Sequence, residues 1–477
     1  MQVARRFGMG AVVGAALLAF GSPGIGEART FVLSPAVSGS DEEFENVANT
    51  LQPGDSLLLH GGVYSQTGRR AITCTGTATA PVVIACFPGE APVLTRPADE
   101  IDTRNNIELV GCRYLVLHGL HFQGGNSGLR VVGGDHVTIE GCEIHDTGNN
   151  ALAINADGST YDAFVIRGNE IHHTGRSTSG PTEGEGMYLG CNDDACRMVN
   201  SLIEGNHVHD TRATSEGGND GIELKEGSYN NVIRYNVVHD TIDGTQFPGI
   251  FVYGGGRGVN TVEGNVVWSC GEGIQVVSDA VVRNNLVLAS VSHGITAGPH
   301  PQVPRIGNVT IVDNTIYGSP TGIYVRWSGA TNMVLANNAV YCPGATAVDA
   351  AGLEDRGVTV RANFVEGMVN GVPLDNEKLI PGGSAASAFE DPAANDFWPG
   401  PGSPLLGHAS ANYSALYDFN GTLRTSPYDV GAYETEGLAR NPGWKVQAAL
   451  RPLPARSSAP AAAPARAPRP APRRHSR

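Results

Sequence analysis

Lys225 stands in the stretch NDGIELKEG, with Asp220, Glu223 and Glu226 within five residues of it and Glu185 earlier in a similar stretch, EGMYLG. Lysine is otherwise rare here: three lysines against 29 arginines, the other two at Lys378 and Lys445. A lysine amine can take a proton as a general base. A group of carboxylates can hold a hard cation through its oxygens. Together they suit abstraction of the proton α to a substrate carboxylate, where the cation steadies the developing enolate. Carboxylates alone favour the protonated amine, so a lysine base among them requires the cation. Lys225 and Glu223 are therefore catalytic candidates, with Asp220 and Glu185 the acidic residues closest to them in the pattern.

Two other constellations compete. His145, His172, His209 and His239 recur with Asp146, Asp210 and Asp240 beside them, and His173 beside His172. Four histidines invite a metal reading, but they recur because a longer phrase recurs, so a structural stack is expected. Inverting hydrolysis needs an acid and a base carboxylate across one bond. NDDAC at 192–196 and SHG at 292–294 offer such groups, but His293 falls about three repeats from Asp220. No motif of a uronate epimerase is found.

What must position these residues is a repeat. VTIEGCEIHDTG, FVIRGNEIHHTG, SLIEGNHVHDT, NVIRYNVVHDT and NTVEGNVVWSCG share one pattern, with further copies downstream. Its central position falls at Cys142, Asn169, Asn206, Asn236, Asn265, Asn285, Asn314, Asn338 and Asn363. Each copy alternates apolar and polar residues and turns at that position. One such unit cannot bury its own face, but stacked units can. The expected fold is all-β, a right-handed parallel β-helix of about ten rungs, with the asparagines in an internal ladder and insertions confined to loops.

A second phrase follows each first one: NALAIN, EGMYLG, DGIELK, PGIFVY, EGIQVV and TGIYVR among them. Alternation points its apolar residues (Ile222 and Leu224, for example) inward and the others outward. One outward column runs Arg130, Ala153, Tyr188, Glu223, Phe251, Gln275, Thr296, Tyr324, and the next contains Gly190, Lys225, Tyr253 and Arg326. Gly190, without a side chain, is expected to leave open space beside Lys225. Tyr188, Phe251, Tyr253 and Tyr324 would stack on sugar rings, with Gln275 in the same groove, and Arg130 and Arg326 would pair with uronates. The plain alternative is ordinary solvated strand residues stacking from rung to rung.

The borders carry a resemblance. GD followed by L and GGVY opens the domain, and DFNGTLRTSPYDVGAYE closes it at 418–434. Across residues 31–436 this resembles secreted right-handed β-helix proteins of the pectate-lyase-like kind. EGMYLG followed by DGIELKEG is also loosely similar to the chondroitinase B and alginate lyase family, although the acidic residues stand at different offsets. The resemblance implies an acidic, uronate-containing polysaccharide as substrate, β-elimination as the reaction, Lys225 as general base and Asp220, Glu185 or Glu223 as calcium ligands. A polygalacturonase-like hydrolase and a non-catalytic carbohydrate-binding surface protein are the alternatives.

The ends differ in kind from this domain. Residues 1–28 read as a signal peptide: Arg5 and Arg6, an apolar run from Met9 to Phe20, and a small-residue cleavage site at Gly26-Glu27-Ala28. A secreted or periplasmic protein is expected, without a membrane span. From 437 to 477 the chain has eight arginines, Lys445 and no acidic residue, and its last 26 residues are mostly Pro, Ala and Arg. This tail is expected to be disordered, a spacer or a tether to anionic surfaces. Without it 23 basic residues face 47 acidic ones, so no nucleic-acid partner is expected. A polyanionic sugar would need calcium and local arginines to offset the repulsion. A monomer is expected. Eight cysteines in an exported chain suggest disulfides, with Cys191–Cys196 and Cys74–Cys86 the plausible pairs.

Overall fold

A computed structural model describes residues 28–35, 42–214, 217–242, 247–435 and 444–453. The chain forms a right-handed parallel β-helix. One sheet has 13 strands in sequence order, from Thr30–Leu33 to Val358–Arg361. The stack thus exceeds ten rungs, because the opening segment pairs as regular rungs: Phe31 opposite Leu57 and Leu57 opposite Ile84. The remaining parallel strands make two further faces. A typical rung runs Leu202–Glu204, His207–His209 and Ile222–Leu224 before the chain returns at Val232–Arg234.

The turn between the first two faces explains the repeated phrase. The residue before each ladder position has a left-handed backbone, from Gly141 (φ 61°) through Gly205 (φ 63°) to Asn337 (φ 57°), which favours Gly and Asn. The following asparagine turns inward. Asn206 Nδ2 donates to Asn236 Oδ1 at 2.9 Å and to the Ile166 carbonyl at 2.9 Å. Asn236 repeats this to Asn265 and to Ile203. The ladder continues to Asn363, and every side-chain amide in it is buried and bonded. A second, shorter ladder of Ser201, Asn231 and Asn260 stands at another corner and escaped the sequence reading.

Inward residues of the second phrase, Met187, Leu189, Ile222, Leu224, Ile250, Val252, Ile274 and Val276, are all fully buried. The glycine that precedes each pair is dictated by space: a Cβ at Gly221 would lie 2.3 Å from Val238 Cγ1 and 2.6 Å from the Gly249 carbonyl. At the N-terminal end the helix Glu42–Ala48 buries Phe44 and Ala48, and Glu45 and Glu42 pair with Arg70.

The closing segment differs from an end plug. Phe397, Trp398, Phe419 and Tyr433 pack on Val237, Val266, Leu286 and Tyr341 along the flank. Arg424 donates to Asn284 Oδ1 and to the Gly431 carbonyl. Two residues of the 437–477 segment pack on the domain. Trp444 and Arg451 are buried, and Arg451 caps the Gly264 and Phe419 carbonyls with its guanidinium over the Phe419 ring. Residues 1–27 and 454–477, which carry the leader and most of the basic tail, lie outside the described residues.

Cys191 and Cys196 form a disulfide. Cys74 and Cys86 do not pair; the Cys74 thiol lies against that of Cys112 on the next rung, because Thr75 bridges Arg113 and so sets Cys74 opposite Cys112. Among the described residues no helix is long and apolar enough to cross a membrane.

Candidate active site: a buried lysine among carboxylates

The outward column has the register expected from the phrase. Arg130 pairs with Ala153, Ala153 with Tyr188, Tyr188 with Glu223, Glu223 with Phe251 and Phe251 with Gln275. Thr296 and Tyr324 continue it. The turn column that precedes it carries Ser127, Asn150, Glu185 and Asp220. Ser127 Oγ donates to Asn150 Oδ1 at 3.0 Å, and Asn150 Nδ2 donates to Glu185 Oε2 at 3.0 Å. This hydrogen-bonded column delivers Glu185 to a point where carboxylate oxygens of Glu185, Asp220 and Glu223 lie within 4.8 Å of one another.

Lys225 Nζ donates to Glu223 Oε1 at 2.8 Å, and the Tyr253 hydroxyl donates to the same oxygen at 3.1 Å. The ammonium also lies over two rings, 4.3 Å from the Tyr253 centroid and 5.1 Å from that of Tyr188, within cation–π range. Gly190 provides the room for this: a Cβ there would stand 3.0 Å from Lys225 Cβ. The open space expected beside the lysine is filled by the lysine itself.

The electrostatics are those of a crowded, dry acidic site. Burial, then the charge of Glu223, pushes Glu185 up to about 8. Asp220 is raised well above its ordinary value by burial, then by Glu223 and Glu185. Glu223 is raised by burial, against the pull of Lys225. Asp220 Oδ1, Glu223 Oε2 and Glu226 Oε2 are buried without a hydrogen-bond partner. Buried oxygens of this kind are costly. Three carboxylates with two bare oxygens turned into one small space fit a hard, oxygen-seeking cation.

Burial is where the structure departs most from the sequence reading. Lys225 and Glu223 side chains are 4% and 5% exposed. Phe251 and Tyr253 are buried and stacked on each other at 4.0 Å, so neither offers a face to a sugar. They point away from the helix core as alternation requires, but a loop lies over them. His300 sets its ring edge on both, Val303 packs against them, and Gln302 Nε2 donates to Asn192 Oδ1 at 3.1 Å. Residues 299–306 thus strap the face to the disulfide loop. His300, Gln302 and Asn192 gave no signal in the repeat, because insertions have no periodicity.

The other expected sugar contacts divide. Arg130 is half-buried and donates to the Asn155 carbonyl at 3.0 Å. With Tyr188, Asn155, Asp157 and Asn192 it lines an open cavity of about 640 Å³ beside the buried cluster. Gln275 is half-buried. Arg326 is engaged by Asp349 at 2.9 Å and lies over Tyr324 at 3.8 Å, while Tyr324 stacks on His293. Arg326 and Tyr324 therefore lie apart from the cluster, with their charge and ring face already occupied. The hydrolase groups do not converge either: Asp193 and Asp194 are exposed on the disulfide loop, and His293 pairs with Glu272.

Fold and site together define a parallel β-helix protein with a buried acidic and lysine cluster on its third face. Residues 105–287 match the family described as right handed beta helix region. Among solved structures the chain is similar to the alginate lyase from Paenibacillus sp. str. FPU-7, at 19% identity over 72% of this chain and 99% of that one, with a TM-score of 0.44. It is also similar to pectate lyase Pel9A, at 16% identity over 86% and 97% with a TM-score of 0.49. A third is a mannuronic acid specific polysaccharide family 6 lyase from human gut microbiota, at 15% identity over 72% and 87% with a TM-score of 0.40. No curated protein matches the chain. These likenesses concern architecture and assign no residue of this chain.

Proposed function

We propose that this chain is an exported polysaccharide lyase acting on an acidic, uronate-containing polymer. The observation that carries the reading is the buried triad of Glu185, Asp220 and Glu223 beside Lys225, with Asp220 Oδ1 and Glu223 Oε2 left without partners. Glu185, Asp220 and Glu223 would hold Ca²⁺. When bound, it would neutralise these acids and draw electron density from a uronate carboxylate.

The chain's own residues then have distinct tasks. Lys225 Nζ accepts the proton α to the uronate carboxylate; a carbon–carbon double bond forms as the glycosidic bond at the β carbon breaks, and the leaving oxygen takes up a proton. Glu223 and the Tyr253 hydroxyl fix the position of Nζ. Tyr188 and Arg130 border the cavity by which the polymer approaches, and Gln275 lies further along the same column. The 299–306 strap lifts to admit the sugar, and its return excludes water.

A non-catalytic carbohydrate-binding protein is favoured by one observation, the near-complete burial of Lys225. Incubation with pectate, alginate and glycosaminoglycans, with calcium or with chelator, separates the readings. A lyase produces an unsaturated, ultraviolet-absorbing end that chelator abolishes. Reducing ends without that absorbance indicate a hydrolase, and retention on the polymer without products indicates a binder. Product formation unaffected by chelator would remove the cation from the mechanism.

A further inference from the structure

The histidine column stacks as a ladder. His145, His172 and His209 are 5.0 Å apart ring to ring, His209 and His239 5.1 Å, and Trp268 ends the stack on His239. The position beside the ladder varies from rung to rung. The outward position two residues before the ladder histidine is Glu143, then Glu170, then His207. At the Glu143 rung a carboxylate occupies the ladder: Glu143 Oε1 lies 3.1 Å from His172 Nε2. At the His207 rung an imidazole stands there instead, buried, with its Nε2 2.9 Å from Nε2 of His239.

The tautomers follow from the partners. Asp210 Oδ2 lies 2.7 Å from His209 Nδ1, and Asp240 Oδ2 lies 2.7 Å from His239 Nδ1. A carboxylate only accepts, so each Nδ1 carries a proton toward its aspartate and each Nε2 is turned to the opposite side. His209 Nε2 is buried and has no hydrogen-bond partner. Asp210 and Asp240 occupy left-handed turn positions, φ 52° and 56°, which alone explains an aspartate there. It does not explain why two such rings bring their Nε2 atoms to a third, one of those atoms without a partner. Three imidazoles with ligand atoms within 4.8 Å, two of them oriented by carboxylates through the far nitrogen, have the arrangement in which aspartate–histidine pairs hold a metal.

We propose that His207, His209 and His239 form a transition-metal site on the outer surface of the second face, suited to Zn²⁺ and separate from the acidic cluster. The 2.9 Å between the Nε2 atoms of His207 and His239 is near the roughly 3.3 Å spanned by two ligands of a tetrahedral zinc. A small tilt of the His209 ring closes the third side. Glu170 Oε1, 3.5 Å from His209 Nε2 and 3.6 Å from His207 Nδ1, is placed to fill the fourth position. Nitrogen donors select a borderline ion over calcium, so this site and the carboxylate triad would take different metals from one solution.

The test is equilibrium dialysis of the full chain against Zn²⁺ in excess Ca²⁺, with metal content measured directly, and Co²⁺ as the spectroscopic substitute. The wild type is expected to hold one zinc per chain, with a cobalt spectrum of nitrogen and oxygen ligation. His207→Gln and His239→Gln should each lose it. Asp210→Asn should weaken binding about 10- to 100-fold. His145→Ala, on the same ladder but outside the site, should leave it unchanged. Circular dichroism and an unchanged melting temperature in chelator check that each variant folds, and Asp210→Asn keeps the test valid should a histidine variant misfold. The proposal is overturned by a wild type that takes up no zinc, by undiminished binding in His207→Gln, or by a thiolate charge-transfer band assigning the cobalt to cysteines such as Cys74 and Cys112.

Discussion

The asparagine ladder and the acidic cluster are equally buried, one rung-turn apart in the same solenoid, and they handle polar groups in opposite ways. In the ladder each amide finds both partners: Asn236 accepts from the Asn206 backbone and side chain and donates to Ile203 and Asn265. In the cluster Asp220 and Glu223 leave oxygens bare, and three acids crowd one lysine. A satisfied buried network stabilises a fold, while an unsatisfied one marks a place meant for something else. Removing a group from the first should damage the fold, and removing a charge from the second should damage only the function.

The largest expected effect is on turnover. Lys225→Ala should reduce unsaturated product by about 10²- to 10⁴-fold with a folded chain, measured by ultraviolet absorbance on the responding polymer. Asn236→Ala should do the reverse, leaving donors and acceptors of two neighbouring rungs unpaired and costing about 2–4 kcal/mol in denaturant unfolding.

Proton linkage separates the two regions next. Glu185 titrates near 8 when folded against an ordinary 4.5, so between those values the folded chain holds more protons than the unfolded one. In chelator, unfolding free energy should fall as pH rises through that window. The raised Asp220 and Glu223 act with the same sign. Calcium should flatten the slope, and Asn236→Ala should leave it unchanged.

Glu185→Gln should raise stability in chelator at neutral pH by about 1 kcal/mol, because an amide requires no proton uptake on folding, while weakening calcium binding. Smallest is the strap. Gln302→Ala removes a single exposed bond to Asn192 and should raise turnover by about two- to fivefold if strap opening limits it. A chain with unaltered kinetics would mean that the strap opens faster than the chemistry.

The sequence made the repeat legible because every rung solves the same problem. A left-handed residue, an asparagine and an alternating strand recur, and the register from Arg130 to Tyr324 follows from counting. Three features were hidden for physical reasons. Outward from a β-helix core is not the same as exposed, so Phe251, Tyr253 and Lys225 read as an open groove until residues 299–306 are seen over them. Cys74 could not be matched to Cys112 because the pairing depends on rung register between insertions of different length. His207 stood in a mixed column with Glu143, Glu170 and Val237, and only its contact with His239 distinguishes it.

The most direct test is a calorimetric titration of calcium into wild type and Asp220→Asn. The account predicts one calcium per wild-type chain, with binding lost or weakened at least tenfold in the variant while its fold is retained. Equal binding by both chains, or none by the wild type, would contradict it, because the bare oxygens of Asp220 and Glu223 would then have no cation to satisfy them.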